Sequence, residues 1–394
     1  MSFTHFYSPK PSDVCCILRE SEPDTEKYRP VIFFHDQEPF YIETFNNIFE
    51  YSFDKQIGTQ SDNINLDIPG WNGVTMNSFL HDTDSFRHHF LVFANSEKSE
   101  ELDSNCKDRM LYNWYYFRHG FIALDWYRNT KYLPANYKFD KVFISFNNIV
   151  SGNRNYRLTL VSKLLEKKLN SFGHISLNND NLQSKIKDEI FSKSLLSDYA
   201  KKNIFKYLLN TNLNFTIDRP DINGELSAFD NLDVYTKGFI HLVTETIFYE
   251  NKLHLTEKIF KPIVARRPFI LVGAVGNLQY LKSYGFKTFD KWIDESYDTE
   301  ADPDKRIELI VTELEKFCKL SDKELLQIQK EMMDITEFNF NHFFNDFKRI
   351  IVNELVDNFR RLVIKYNAGK DASFAYYIDH SKINYESIKE ILIS

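Results

Sequence analysis

The sequence predicts an α/β protein of two Rossmann-like domains facing a cleft, with a helical C-terminal tail. Short apolar runs alternate with amphipathic stretches, the alternation comes in two consecutive series of similar size, and the last part of the chain keeps only the helical period. At roughly 100–200 residues per domain, 394 residues hold two domains or three small ones. A composition of 43% hydrophobic and 27% charged residues belongs to a folded chain and argues against disorder. Twelve Gly and 11 Pro exclude collagen-like and low-complexity architectures, and no internal repeat is visible.

In the first series, Val14–Leu18 and Val31–Phe34 read as buried strands and Phe90–Phe93 as a third. A long aromatic helical stretch is expected from about Glu97 to Tyr127, interrupted afterwards by Pro134. The domain boundary is placed near Pro134–Lys141. In the second series, Val142–Phe146 is a strand, and Asn155–Leu169 is a helix with Leu158, Val161, Leu164, Leu165 and Leu169 at helical spacing. Phe239–Val243 is a strand, Thr256–Arg266 a helix, Phe269–Val272 a strand and Asn277–Tyr284 a short helix. Helices follow over Lys305–Cys318, Ser321–Met333 and Asn341–Tyr366, the last with Phe344, Phe347, Ile351, Leu355 and Phe359 on one face. Gly58–Asn65 and Leu177–Gln183 read as loops. The domains are therefore expected at 1–138 and 139–340, with 341–394 as a helical segment crossing back to the first.

Forty-nine basic against 56 acidic residues leave a net charge of −7, which weakens a nucleic-acid reading because phosphate contacts call for a basic excess. No apolar run approaches the roughly 20 residues that span a bilayer, and no basic-then-apolar leader opens the chain. Cys15, Cys16, Cys106 and Cys318 lack metal-ligand spacing, the pattern of a reduced, cytoplasmic protein.

Several chemistries are missing their motifs. Gly273-Ala274-Val275-Gly276 lacks the third glycine of a dinucleotide fingerprint, and there is no P-loop, no His-Glu-x-x-His and no nucleophile elbow. Asp302-Pro303-Asp304 lies in an acidic loop rather than after a strand, and reads as a solvated helix N-terminus.

Open α/β sheets bind ligands beyond the carboxyl ends of their strands. There the chain offers Thr244-Glu245, then Thr256-Glu257-Lys258 opening a helix that ends at Arg266-Arg267-Pro268. Thr256 suits an N-cap, helix N-termini favour anions, and Lys258 adds a charge suited to a diphosphate. Glu257 can accept from neighbouring ribose hydroxyls, and Glu245 could orient the sugar or the ribose. An ordinary capped helix would use the same residues.

The segment resembles the donor-binding motif of α-1,3-fucosyltransferase-type glycosyltransferases, and more closely a group of glycosyltransferases from phage and marine genomes. The similarity covers roughly Lys141–Asp298. The resemblance implies a GT-B fold in which Glu257 holds the ribose and Lys258 the phosphate of a nucleotide diphosphate sugar of the UDP or GDP type. The family places an Arg on the first donor-domain helix, aimed at the diphosphate; Arg157 is the preferred match and Arg154 the second, beside Asn147 at the strand end. The family often has a small residue or Gly where this chain has Arg266-Arg267, which implies a different pocket rim.

In the first domain, His35-Asp36-Gln37-Glu38-Pro39 follows a strand and resembles the same stretch of the phage group. Asp36 or Glu38 could serve as the base that deprotonates an acceptor hydroxyl, with His35 a weaker candidate. His119 could also face the cleft, although an aromatic neighbourhood favours a structural role. Tyr112-Asn113-Trp114-Tyr115-Tyr116-Phe117 could stack on a sugar or base, with packing against the sheet the more ordinary use.

The reading is a metal-independent, inverting hexosyl- or pentosyltransferase of the cytoplasm (the host's, if phage-encoded), with no cofactor beyond its nucleotide-sugar donor and a glycan, lipid or modified-DNA acceptor. A DNA-base glycosyltransferase acting on hydroxymethylated cytosine, a nucleotide-sugar epimerase or synthase, and a catalytically silent nucleotide- or glycan-binding protein are the competing readings.

Overall fold

The computed structural model describes residues 14–18, 31–35, 91–108, 112–177, 182–192, 194–209, 235–369, 381 and 383–393. The chain divides into two compact units, residues 1–117 with 352–394, and residues 118–351. The expected loop Gly58–Asn65 lies outside the described residues.

The first unit holds a four-stranded sheet of β1 (Val14–Leu18), β2 (Val31–His35), β3 (Leu91–Asn95) and β4 (Tyr112–Tyr115), in that spatial order. β1 runs antiparallel to β2, with Val14 opposite His35, while β2, β3 and β4 are parallel. The helix expected over 97–127 does not form as one element. It is α1 (Glu100–Asp108), then β4, then α2 (Arg118–Trp126), which belongs to the other unit. Tyr and Trp favour the pleated surface of a sheet, and Tyr112, Trp114 and Tyr116 alternate. Trp114 forms a core cluster with Leu362, Val363 and Tyr366 of the helix Lys348–Asn367, and Tyr112 and Tyr116 pack against that cluster with Leu355 and Phe359. The Trp114 indole donates to the Leu355 carbonyl at 3.0 Å. The aromatic run is thus a packing surface.

The second unit holds β5 (Lys141–Asn147), β6 (Gly173–Leu177), β7 (Gly238–Thr244) and β8 (Phe269–Val272), all parallel in the order β6-β5-β7-β8. β6 and the helices α4 (Leu182–Phe191) and α5 (Asp198–Tyr207) carry no strong sequence signal and were not expected. β7 and β8 are buried along their whole length, as strands covered on both faces are. α3 (Tyr156–Glu166) is buried from Tyr156 to Leu164 and packs against α5 and α8 (Pro303–Cys318). Its one buried lysine, Lys163, is matched by Glu166 at 2.8 Å and Glu308 at 2.9 Å. Gly173 opens β6 opposite Phe143 because a Cβ there would meet the Phe143 ring at 2.2 Å.

The helix expected from Thr256 is shorter than its sequence pattern, a 3₁₀ turn Glu257–Ile259 leading into α6 (Phe260–Val264). α7 (Asn277–Ser283) follows β8. Asp302 caps α8 by accepting from the amides of Asp304 and Lys305 at 3.0 and 2.9 Å, so Asp302-Pro303-Asp304 is a helix start. α9 (Asp322–His342) passes through a π-helical turn, Phe343–Phe347, into α10 (Lys348–Asn367), without the expected break after Met333. Phe343 and Phe347 on that turn pack against Phe260, and Phe347 also against Phe286.

Two buried arginines bind the edges of the parallel sheet. At the carboxyl edge, Arg157 donates to the carbonyls of Ile149 (2.8 Å), Thr244 (3.0 Å) and Glu245 (3.1 Å). At the amino edge, Arg267 donates to those of Lys138 (2.8 Å) and Thr236 (2.7 Å).

Candidate functional site

Chain direction reverses between β5 and β7: the chain goes from β5 outward to β6, then returns to place β7 on the other side of β5. The space beyond the carboxyl ends of β5 and β7 is therefore the topological switch point, where open α/β sheets leave a crevice. Most of the sequence-predicted donor residues lie on the segments leaving these two strands.

β7 ends in Thr244, whose hydroxyl donates to the Phe146 carbonyl of β5 at 2.9 Å. Glu245 follows, fully buried, with its amide on the Val272 carbonyl at 3.0 Å. Its carboxylate reaches across the loop to Thr256, accepting the hydroxyl at 2.5 Å and the amide at 3.3 Å. Burial pushes the Glu245 carboxyl up from the ordinary range, and Lys258 and the Thr256 bonds oppose that only in part. Thr256 is extended and caps the 3₁₀ turn, its hydroxyl accepting from the Lys258 amide at 3.4 Å. A second tether holds the same loop, because Asn277 bonds the backbone of His254 from both ends, at 3.1 and 3.2 Å.

Glu257 and Lys258 stand on this capped turn. The Glu257 side chain is 7% exposed and that of Lys258 33%. One Glu257 oxygen lies 3.1 Å from Lys258 Nζ, the other 3.4 Å from His119 Nδ1. Burial alone would raise the Glu257 carboxyl, but Lys258, His119 and Lys261 outweigh it and hold the group well below the usual carboxylate range. Lys258 Nζ also lies 3.2 Å from the Thr256 hydroxyl and 3.4 Å from that of Thr246. The Tyr127 hydroxyl donates to the Glu257 carbonyl at 3.4 Å.

Glu245, Thr256, Glu257 and Lys258 are thus brought into one network. Asn147 is near the same edge but committed inward, its amide donating to both oxygens of Ser145 and to the Ser176 carbonyl. Arg157 is 3% exposed, and its guanidinium is turned to the three carbonyls of the strand ends. Arg154 lies half-buried on the 3₁₀ turn Gly152–Arg154. Arg266-Arg267, expected at the pocket rim, sits at the amino edge of the sheet instead: Arg267 clamps that edge, and Arg266 pairs with Glu337 at 2.9 Å over the Phe340 ring. Asp36 and Glu38 lie outside the described residues.

His119 is the residue whose place the sequence did not reveal. It lies 138 positions from Glu257, and the two meet because Gly120 lets α2 close on Phe347 and Ile351, where a Cβ would be 3.0–3.2 Å from their side chains. The loop Gly273–Gly276 is not a vacant phosphate cradle either, since the Asp298 carboxylate fills the start of α7, accepting the amides of Leu278 and Gln279 at 2.8 and 3.0 Å.

Among the described residues there is no group of three or more His, Cys, Asp or Glu side chains placed to hold a metal ion. No helix among them is long and apolar enough to cross a membrane. No family model, no curated protein and no solved structure matches the chain.

Proposed function

We propose that the protein is a glycosyltransferase moving a sugar from a nucleotide diphosphate sugar to an acceptor hydroxyl, with inversion and without a metal, and that its fold is of the GT-B kind. The observation that carries this reading is the Glu257–Lys258 pair on a capped turn next to the switch point of a parallel sheet. A carboxylate nine-tenths buried beside a partly exposed ammonium is the arrangement that a ribose and a diphosphate require.

In this mechanism Glu257 accepts hydrogen bonds from the ribose, and Lys258 meets the diphosphate charge with the amide groups of its turn. Arg154 is the guanidinium assigned to the phosphates, while Arg157 acts as the brace that fixes both strand ends. The acceptor oxygen bonds to the anomeric carbon as the bond from that carbon to the diphosphate oxygen breaks. The electron pair leaves with the diphosphate, and the acceptor proton passes to a carboxylate of the first domain, Asp36 or Glu38. Positive charge already aimed at the departing group supplies the transition-state stabilisation.

A thermal-shift panel of UDP, GDP, CDP and ADP tests the reading. A nucleotide at a hundred times its dissociation constant stabilises by about 2.7 kcal/mol, and Lys258→Ala removes the shift. The matching nucleotide sugar then releases its nucleoside diphosphate in the presence of acceptor. No shift with any of the four overturns the reading.

A further inference from the structure

We infer that His119 is a positioning residue that takes up a proton when a nucleoside diphosphate binds at Lys258, taking over the charge of Glu257 from the lysine. The inference rests on the donor-site reading above and goes beyond it, because it assigns a residue and a proton that neither the motif nor the binding model contains.

The two oxygens of Glu257 face different basic groups, Lys258 on one side and His119 on the other, at 3.1 and 3.4 Å. The Glu257 side chain is only 7% exposed, so the charges beside it are weakly screened. Without ligand, Lys258 is spent on Glu257 and on the hydroxyls of Thr246 and Thr256. A diphosphate that draws Lys258 away leaves a buried carboxylate next to new negative charge. His119 is the neighbour able to answer, because imidazole gains a proton within the physiological range.

The ring is built to stay in place. His119 is 6% exposed, and neither ring nitrogen makes a regular hydrogen bond among the described residues, the contact of Nδ1 with Glu257 being long for one. Its ring lies nearly perpendicular to that of His254, centroids 5.2 Å apart, and the His254 backbone is held by Asn277. The other charged or titratable groups of this neighbourhood are Arg118 on α2, Tyr127 after it, Glu245 at the end of β7, and Lys258 and Lys261 on the turn and α6. Of all these, His119 alone brings to Glu257 an imidazole, the side-chain type whose charge changes between pH 5 and 8.

Titration calorimetry of the full chain with GDP, UDP, CDP and ADP at pH 7, in buffers of low and high ionisation enthalpy such as PIPES and Tris, reads the proton directly. The expected result is uptake of up to about one proton by the wild type on binding its nucleotide. His119→Gln binds roughly tenfold more weakly and takes up none, and His119→Asn, which keeps an amide near the place of Nδ1, recovers affinity without uptake. Should the variants fail to fold, the wild-type profile suffices: affinity falls as pH rises from 7 to 8.5, opposite in sign to ionisation of the nucleotide's own phosphate. Binding without proton uptake, or unchanged uptake in His119→Gln, overturns the inference. Absence of binding with all four nucleotides overturns the donor-site reading, and the inference with it.

Discussion

Glu245 and Thr256 close the loop between β7 and the 3₁₀ turn, with the hydroxyl of one on the carboxylate of the other at 2.5 Å and both residues fully buried. Thr256→Val keeps the shape and removes the donor, leaving one Glu245 oxygen unsatisfied. The expected cost is about 1–3 kcal/mol, read as a lower urea midpoint, with Thr256→Ser close to the wild type. A Thr256→Val protein as stable as the parent would show that the hydroxyl does not hold the loop.

Arg157 separates bracing from ligand binding. Its guanidinium ties the segments after β5 and β7 through three carbonyls. Lysine cannot span them with its single ammonium. Arg157→Lys is expected to cost about 3 kcal/mol in stability, without any nucleotide present. Lys258→Ala is expected to cost less than Arg157→Lys, since the lysine side chain is one-third exposed and His119 still faces the Glu257 carboxylate that remains. The opposite ranking in denaturant titrations would reverse the roles given to the two residues.

Gly120→Ala tests the approach of α2 to the π-helical turn. Alanine gains about 1 kcal/mol of helix propensity, but its methyl group would press on Phe347 and Ile351, both fully buried. Overpacking of this kind costs about 1–3 kcal/mol, so a net loss is expected. Nucleotide affinity should fall with it, because His119 is displaced from Glu257. A stabilised variant with intact affinity would count against the close packing.

His241 gives the acid limb of stability. Its ring is wholly buried, with Nε2 2.7 Å from the Tyr235 carbonyl. Burial pushes its value down to about 3, a shift the Tyr235 bond opposes and the charges of Arg267 and Lys261 reinforce. The folded value lies below the unfolded one of about 6.5, so the unfolded chain binds the proton more readily. This contribution is fully present above pH 6.5 and is lost as pH falls towards 3, by up to about 1.4 kcal/mol per pH unit. Urea midpoints between pH 7 and 4.5 should drop less steeply in His241→Gln; parallel curves for the two proteins would contradict the assignment.

Strands β5, β7 and β8 were legible in the sequence because strands covered on both faces read as unbroken apolar runs between turn signals. β6, with His174 and Ser176 among its five residues, shows no such run, and its place is decided by pairing with β5. The Tyr112–Phe117 run read as helix because aromatic residues satisfy either period. Its strand character comes from β3 on one side and α10 beneath it, both distant in sequence. At the site, Glu245, Thr256, Glu257 and Lys258 were legible as a group because they lie within 14 positions of one another. A helix-start arginine such as Arg157 looks the same in sequence whether it faces a ligand or three carbonyls, and only the fold shows the carbonyls. The sequence around His119 fits either a cleft or a core position, because only tertiary packing brings it to Glu257.

The unit of residues 118–351 is one uninterrupted stretch, whereas the other unit is split, its second piece beginning within α10. Units of this kind fold as they leave the ribosome, the earlier-completed first. The parallel sheet of 118–351 can close while the rest is still being made, but the indole of Trp114 has no Leu355 carbonyl to meet until the final tenth or so of translation. Through most of its synthesis a nascent chain therefore lacks the α10 residues Leu362, Val363 and Tyr366 that share a core cluster with Trp114, and a premature stop before residue 352 would remove them for good.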